Sequence, residues 1–254
     1  MKKNNFKVTI KRAVSGALVV CTLLISNGCA REVETREMTA QELEHADRYD
    51  DQFGILVNKE HGFSQNQINK VNLVKTTDVK GKEVYLQKDA LNAFNALKAD
   101  LAKNGYTIGI NTGFRSYNDQ KAIYDELVAE QGKPYADSYT APVGYSEHHT
   151  GLAIDVYMDR TFVFGKQIPL PVNPKYNATK KAMYEKLAQY GFILRYPEGK
   201  ENITGYPAEE WHIRYVGTEL AKLLNEKNLT LEEYYETLYQ YKNGAVNTAE
   251  EMGA

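Results

Sequence analysis

Two short segments hold side chains that could do chemistry together: Ser146-Glu147-His148-His149-Thr150-Gly151-Leu152-Ala153-Ile154-Asp155 and Glu209-Glu210-Trp211-His212-Ile213-Arg214-Tyr215. Histidine nitrogens with one carboxylate oxygen are an ordinary ligand set for catalytic zinc, which keeps a fourth position open for water. His148, Asp155 and His212 could supply such a set. Spacing alone does not choose His148 over His149, and any one of these residues taken singly reads as a satisfied polar group in a loop or ion pair. The chain has five histidines, so their placement is informative. Its two cysteines, Cys21 and Cys29, both lie near the N-terminus. That excludes a disulfide scaffold and a cysteine-based zinc finger.

These residues need strands to present them. Alternation along 152–157 puts Leu152, Ile154 and Val156 on one apolar face, and Ala153 with Asp155 on the other. Around the second segment, His212 and Arg214 share a face, while Trp211, Ile213 and Tyr215 share the opposite one. A face made of Asp, His and Arg on otherwise buried strands is costly unless it is paired or metal-bound.

The remaining pattern predicts the elements around them. A helix is marked over 88–103, with Leu91, Phe94, Leu97 and Leu101 on one side and Gly105 beyond its end. Residues 107–111 read as a strand. A second helix is expected to begin near Ser116, a good N-cap, to carry Ile123 and Leu127 inward and to stop at Gly132. Strands over 152–157 and 192–196 are separated by an excursion holding Pro169, Pro171 and Pro174. A helix over 178–190 ends at Gly191, and 212–216 forms a further strand. Helices over 218–227 and 230–241 follow, the second opened by a Thr230…Glu233 capping box. Short strands and helices without βαβ regularity predict an α+β fold: a small, mainly antiparallel sheet flanked by helices, with the metal site on one face of the sheet.

The chain has 254 residues, 31 Lys and Arg against 33 Asp and Glu, and a net charge of −2. That balance offers no electrostatic footprint for nucleic acid, and a monomer is expected. Lys2, Lys3, Lys7, Lys11 and Arg12 precede an apolar run from Ala13 to Ile25. A basic leader with a short apolar stretch reads as a secretory signal over 1–29, since a membrane span needs about 20 apolar residues. The run ends in Ser26-Asn27-Gly28-Cys29, similar to a lipoprotein signal, with Ser26 where Leu is usual. The expectation is export, with the protein held at the outer face of the cell membrane through lipid on Cys29 or an uncleaved anchor, or in the cell wall. Residues 30–54 suit a spacer, in which His45 reads as a solvated side chain. Residues 55–242 form one domain, and 243–254 have little to bury and are expected to be disordered.

The pattern Ser-x-His-x-x-Gly-x-Ala-x-Asp followed by Glu-x-Trp-His-x-Arg-Tyr resembles the D-alanyl-D-alanine carboxypeptidase family of zinc peptidases, which includes the vancomycin-resistance carboxypeptidases. Gly113-Phe114-Arg115-Ser116-Tyr117-Asn118-Asp119-Gln120 upstream and Phe192-Ile193-Leu194-Arg195-Tyr196-Pro197 between match in order, so the resemblance covers roughly residues 55–217. It implies that His148, Asp155 and His212 bind Zn2+, that Glu209 is the general base, and that Arg115 grips substrate. Glu209 and His212 are three apart, on opposite faces of a flat strand. A turn or bulge just before Trp211, helped by Pro207, is therefore expected to bring both to one site. The family commonly has Pro where this chain has Glu210, which is expected to point outward.

An Arg suits a free carboxylate because its planar fork makes two parallel charge-assisted hydrogen bonds. Arg115 across the cleft from the metal would set the cut at the last residue, although the same side chain could be a structural ion-pair partner. Ser116 is an N-cap by default and a substrate contact by position, Gln120 one helical turn on could face the pocket, and Ser146 could bind substrate or orient a ligand. The expected activity is zinc-dependent removal of the C-terminal D-alanine from peptidoglycan stem peptides. The alternatives are an L,D-carboxypeptidase or peptidoglycan endopeptidase with the same site, or a non-catalytic wall-binding lipoprotein.

Overall fold

The computed structural model describes residues 53–158 and 174–242, together with the backbone of Val8–Ile10 (β1) and Cys21–Leu23 (β2), which pair antiparallel. Most of the expected leader and spacer, Cys29, His45, Pro169, Pro171 and the tail after residue 242 lie outside the described residues.

A four-stranded antiparallel sheet positions the chemistry. It is built from β5 (Gly109–Thr112), β6 (Ala153–Tyr157), β7 (Phe192–Leu194) and β8 (His212–Tyr215), in the order β5-β6-β8-β7. The expected alternation is present. Ile110, Ile154, Val156, Phe192 and Ile213 join one buried cluster with Phe94, Leu97 and Leu101 of helix α2 (Lys88–Ala102) and Met183 of α5 (Pro174–Tyr184). Phe94, Leu97 and Leu101 recur at helical spacing, so one stripe of α2 covers the apolar face of the sheet. The opposite face carries Asp155, His212 and Arg214, and Asp155 stands directly across from His212 in the β6–β8 register.

A second apolar cluster joins Ile193 and Val216 to α7 (Thr218–Lys227) and α8 (Leu231–Lys242). The capping box that opens α8 is in place: Thr230 N–H donates to Glu233 Oε2 at 2.8 Å, and Glu233 N–H donates to Thr230 Oγ1 at 3.2 Å. Helix α3 (Tyr117–Gln131) begins at Ser116, whose hydroxyl caps it in a box with Asp119, and Gly132 ends it.

Several sequence expectations need correction. Ile123 and Leu127 of α3 are only half-buried, and the residue that α3 buries is Gln120, because this helix covers a polar part of the site rather than the core. The helix expected over 178–190 is α5 followed by a separate 3-10 turn, Ala188–Tyr190. The strand expected over 107–111 starts two residues later and bulges between Ile110 and Thr112.

Not anticipated were α1 (Gln65–Ile68), α4 (Lys133–Tyr139), α6 (Glu201–Thr204) and the hairpin of β3 (Leu73–Thr77) with β4 (Glu83–Gln87). The hairpin matters to the site. Tyr85 O of β4 accepts Phe114 N–H at 2.7 Å, and a Cβ on Gly113 would stand 2.7 Å from that oxygen. Glycine at 113 is what allows this approach.

Candidate active site

Residues 147–150 form a 3-10 turn stopped by Gly151 in the left-handed conformation, φ 69°, and all four are buried. The turn separates its two histidines. His149 Nε2 accepts Gly144 N–H at 3.1 Å, so its Nδ1–H is left to donate to Arg115 O at 2.8 Å. Both of its nitrogens are occupied away from the acidic residues. His148 Nδ1 donates to Gly113 O at 2.7 Å, which leaves the lone pair on Nε2 directed at Asp155 Oδ2, 3.3 Å away. The choice that spacing left open is made by backbone carbonyls.

His212 completes the group. Its Nδ1 lies 3.3 Å from Asp155 Oδ1, its ring packs edge-on to His148 at 5.0 Å, and Tyr196 packs against it at 4.9 Å. Ligand atoms of His148, Asp155 and His212 all lie within 4.8 Å of one another. Tetrahedral bonds of about 2.0–2.1 Å place ligand atoms roughly 3.3 Å apart. Each histidine lies at that distance from one of the two Asp155 oxygens, and one ligand atom from each residue falls within the 4.8 Å grouping, so these three residues could hold a divalent ion.

Glu209 reaches the same spot. Residues 210 and 211 form the expected turn, Glu209 N–H is held by Tyr196 O at 2.9 Å, and Glu209 Oε2 comes within 3.4 Å of His212 Nδ1. Glu210 turns away: its carboxylate accepts from Tyr176 Oη at 2.7 Å and from Lys180 Nζ.

Arg115 is buried beside the group rather than across a cleft from it. Its Nη2 donates to Asp155 Oδ2 at 3.0 Å, and its Nη1 to Gln120 Oε1 at 3.2 Å. Gln120, fully buried, is itself fixed by donating to Ala141 O at 2.7 Å. Ser116 sits at the cap of α3, and Ser146 is buried immediately before the 3-10 turn.

The charges follow from this crowding. Burial works to raise Asp155, but His148, His212 and Arg115 hold its carboxyl well below the usual range. Burial and the adjacent Arg115 push His148 down to about 4. Burial opposes charge on His212, yet the nearby carboxylates of Asp155, Glu147 and Glu209 carry it well above its usual value. Burial raises Glu209.

Glu147, Arg195 and Glu232 also belong to this region and were not singled out from the sequence. Glu147 Oε1 accepts from Arg195 Nε and Arg214 Nη1, each at 2.7 Å, and Glu147 Oε2 lies 3.5 Å from His212 Nε2. A signal existed: an acid and two arginines lie inside the quoted motifs, in or beside apolar strands, where each must find a counter-charge.

Residues 83–218, just over half of the chain, match the family model described as VanY, D-alanyl-D-alanine carboxypeptidase. A D-alanyl-D-alanine carboxypeptidase of Enterococcus faecium is 34% identical over 202 residues, 76% of this chain and 60% of that protein, so the chain spans less than two thirds of that relative. Among solved structures, the LdcB LD-carboxypeptidase superposes with a TM-score of 0.60 at 35% identity, covering 71% of this chain and 84% of that one. A variant of a vancomycin-resistance D,D-pentapeptidase VanY in complex with Zn(II) gives 0.58 at 29% identity, covering 72% and 98%.

Proposed function

The chain belongs to the VanY family of D-alanyl-D-alanine carboxypeptidases, and on that premise we propose that it is a zinc-dependent carboxypeptidase removing the terminal D-alanine from peptidoglycan stem peptides. The observation that carries this reading is the convergence of His148 and Asp155, from one turn and the strand after it, with His212 of a strand distant in sequence, and with Glu209 beside them. A zinc ion held by the three would supply Lewis acidity, polarising the scissile carbonyl and acidifying water.

The protein's own groups do the rest. Glu209 Oε2 takes a proton from the attacking water and delivers it to the leaving amine, and burial, by raising its pKa, suits it to both tasks. Arg115 would receive the free C-terminal carboxylate on the guanidinium N–H groups left over from Gln120, which steadies one arm, and Asp155, which holds the other. The basic leader and Cys29 support a further proposal of export and retention at the outer membrane face.

A second reading, removal of D-alanine from an L,D-linked tetrapeptide, is favoured by the likeness to LdcB. Digestion of purified pentapeptide and tetrapeptide stems, with masses of the products read with and without a chelator, separates the two. The expected result is loss of one D-alanine from the pentapeptide, abolished by chelation. Cleavage of the tetrapeptide alone transfers the assignment to the second reading, and chelator-resistant cleavage rejects the metal mechanism.

A further inference from the structure

Glu147 takes no part in that proposed reaction, yet it is buried against one of the metal-site histidines and held in a fixed orientation. Both of its arginine bonds go to Oε1. The arginines are themselves pinned. Arg195 donates Nη1 and Nη2 to Glu232 of α8 at 2.9 and 2.6 Å, and Arg214 Nη2 donates to the carbonyls of Phe53 and Ile55 at 2.9 and 2.8 Å. The carboxylate therefore cannot rotate without breaking buried charge-assisted bonds, of the kind worth about 1.5–3 kcal/mol each. Its other oxygen, Oε2, and His212 Nε2 are both buried, and among the described residues neither has a hydrogen-bond partner within strict geometry. They face each other at 3.5 Å. On the far side of the same ring, Nδ1 faces Asp155 and Glu209.

We propose that Glu147 is a positioning residue for the metal: Oε2 accepts Nε2–H of His212 and so keeps the Nδ1 lone pair directed at the ion. This rests on the metal reading given above. A neutral imidazole has one donor and one acceptor nitrogen, and the partner of one fixes the role of the other. Outer partners of this kind typically hold 10–100-fold in metal affinity. A purely structural ion pair would need Glu147 only as a counter-charge for Arg195 and Arg214, and His212 would be indifferent to which way its carboxylate faced.

The substitution E147Q separates the two roles by chemistry. Arg195 and Arg214 can only donate, so they would draw the amide oxygen to the Oε1 position. The amide NH2 would then face His212 Nε2 and need an acceptor there, which only the Nδ1–H tautomer provides. That tautomer has no lone pair for the ion. E147Q is therefore expected to bind zinc about 10–100-fold more weakly than the wild type in competition with a chelating dye. E232Q, which alters the same network at its outer end without touching His212, is expected to lower the melting temperature and leave zinc affinity unchanged.

In zinc-loaded wild-type protein labelled with 15N-histidine, His212 is expected to show its proton on Nε2. A proton on Nδ1 overturns the proposal. So does a folded E147Q with wild-type zinc affinity, or an E232Q that loses as much affinity as E147Q. Should E147Q fail to fold, the wild-type spectrum decides. A wild type that takes up no zinc fails differently, since it removes the metal site itself.

Discussion

Half-buried Glu209 and buried Arg115 both stand beside the metal-site residues, but they are expected to fail in different ways. Replacing Glu209 with Gln removes the proton acceptor and keeps the shape, so kcat should fall about 10²–10⁴-fold while zinc content by metal analysis stays at the wild-type level. Loss of zinc along with activity would mean that Glu209 serves as a ligand. Replacing Arg115 with Lys keeps a charge beside Asp155 and loses the fork. That should raise KM for a stem peptide by about 10–100-fold, the worth of one charge-assisted hydrogen bond, with a smaller change in kcat. At this scale the sequence was legible wherever residue type dictated chemistry, as with Asp155 or Arg214 on an apolar strand. It was silent where a carbonyl decides, since nothing in His148-His149 shows that Gly113 O takes one ring and Arg115 O the other.

Elements with their own local signals could be read directly: α7 agrees with the expected bounds, and the Ser116 and Thr230 caps are both present. Replacing Thr230 with Ala is expected to cost about 0.5–2 kcal/mol in denaturant titration and to leave hydrolysis unchanged, because α8 lies outside the reacting group. Gly151 is less forgiving. A Cβ there would meet Leu73 Cδ2 at 2.8 Å and Gln87 N at 3.3 Å, in a left-handed backbone that itself costs a side chain roughly 1–2 kcal/mol. Replacing Gly151 with Ala should therefore lower the melting temperature more than the Thr230 change does. It should also weaken zinc binding, because Gly151 closes the turn that aims His148. The β3–β4 hairpin escaped notice because it is largely solvated, Leu86 being its one fully buried residue, so its alternation is faint. Its consequence for Gly113 and Gly151 appears only after folding.

Over the whole molecule, the buried charges link segments that no local window contains: residues 53–55, Glu147, Arg195, Arg214 and Glu232. Burial alone would raise Glu147, but Arg195, Arg214 and His212 hold it far below the usual carboxylate range. A carboxylate depressed on folding contributes stability that is full above its unfolded value near 4.5 and is lost as pH falls through its folded one. In chelator-treated protein, the melting-temperature gap between wild type and E147Q should thus stay level from about pH 6 to about pH 5 and narrow below about pH 4.5. A gap that narrows already at pH 6 would assign the stabilising charge to another group. Zinc should add its own increment, about 2.7 kcal/mol at a free concentration of 100 Kd, read as a rise in melting temperature that EDTA reverses.

The N-terminal end of this network has a practical corollary. Arg214 takes the peptide oxygens of Phe53 and Ile55, and the Tyr235 hydroxyl takes that of Gly54. Being main-chain atoms, these three acceptors survive every amino-acid replacement and vanish only with the residues themselves. A polypeptide trimmed to begin at Phe53 retains all of them; one trimmed to begin at Leu56 retains none, and takes both acceptors from Arg214 Nη2 in the interior while Nη1 keeps Glu147. The limit for shortening the protein from this end therefore falls within three residues that carry no recognisable signature.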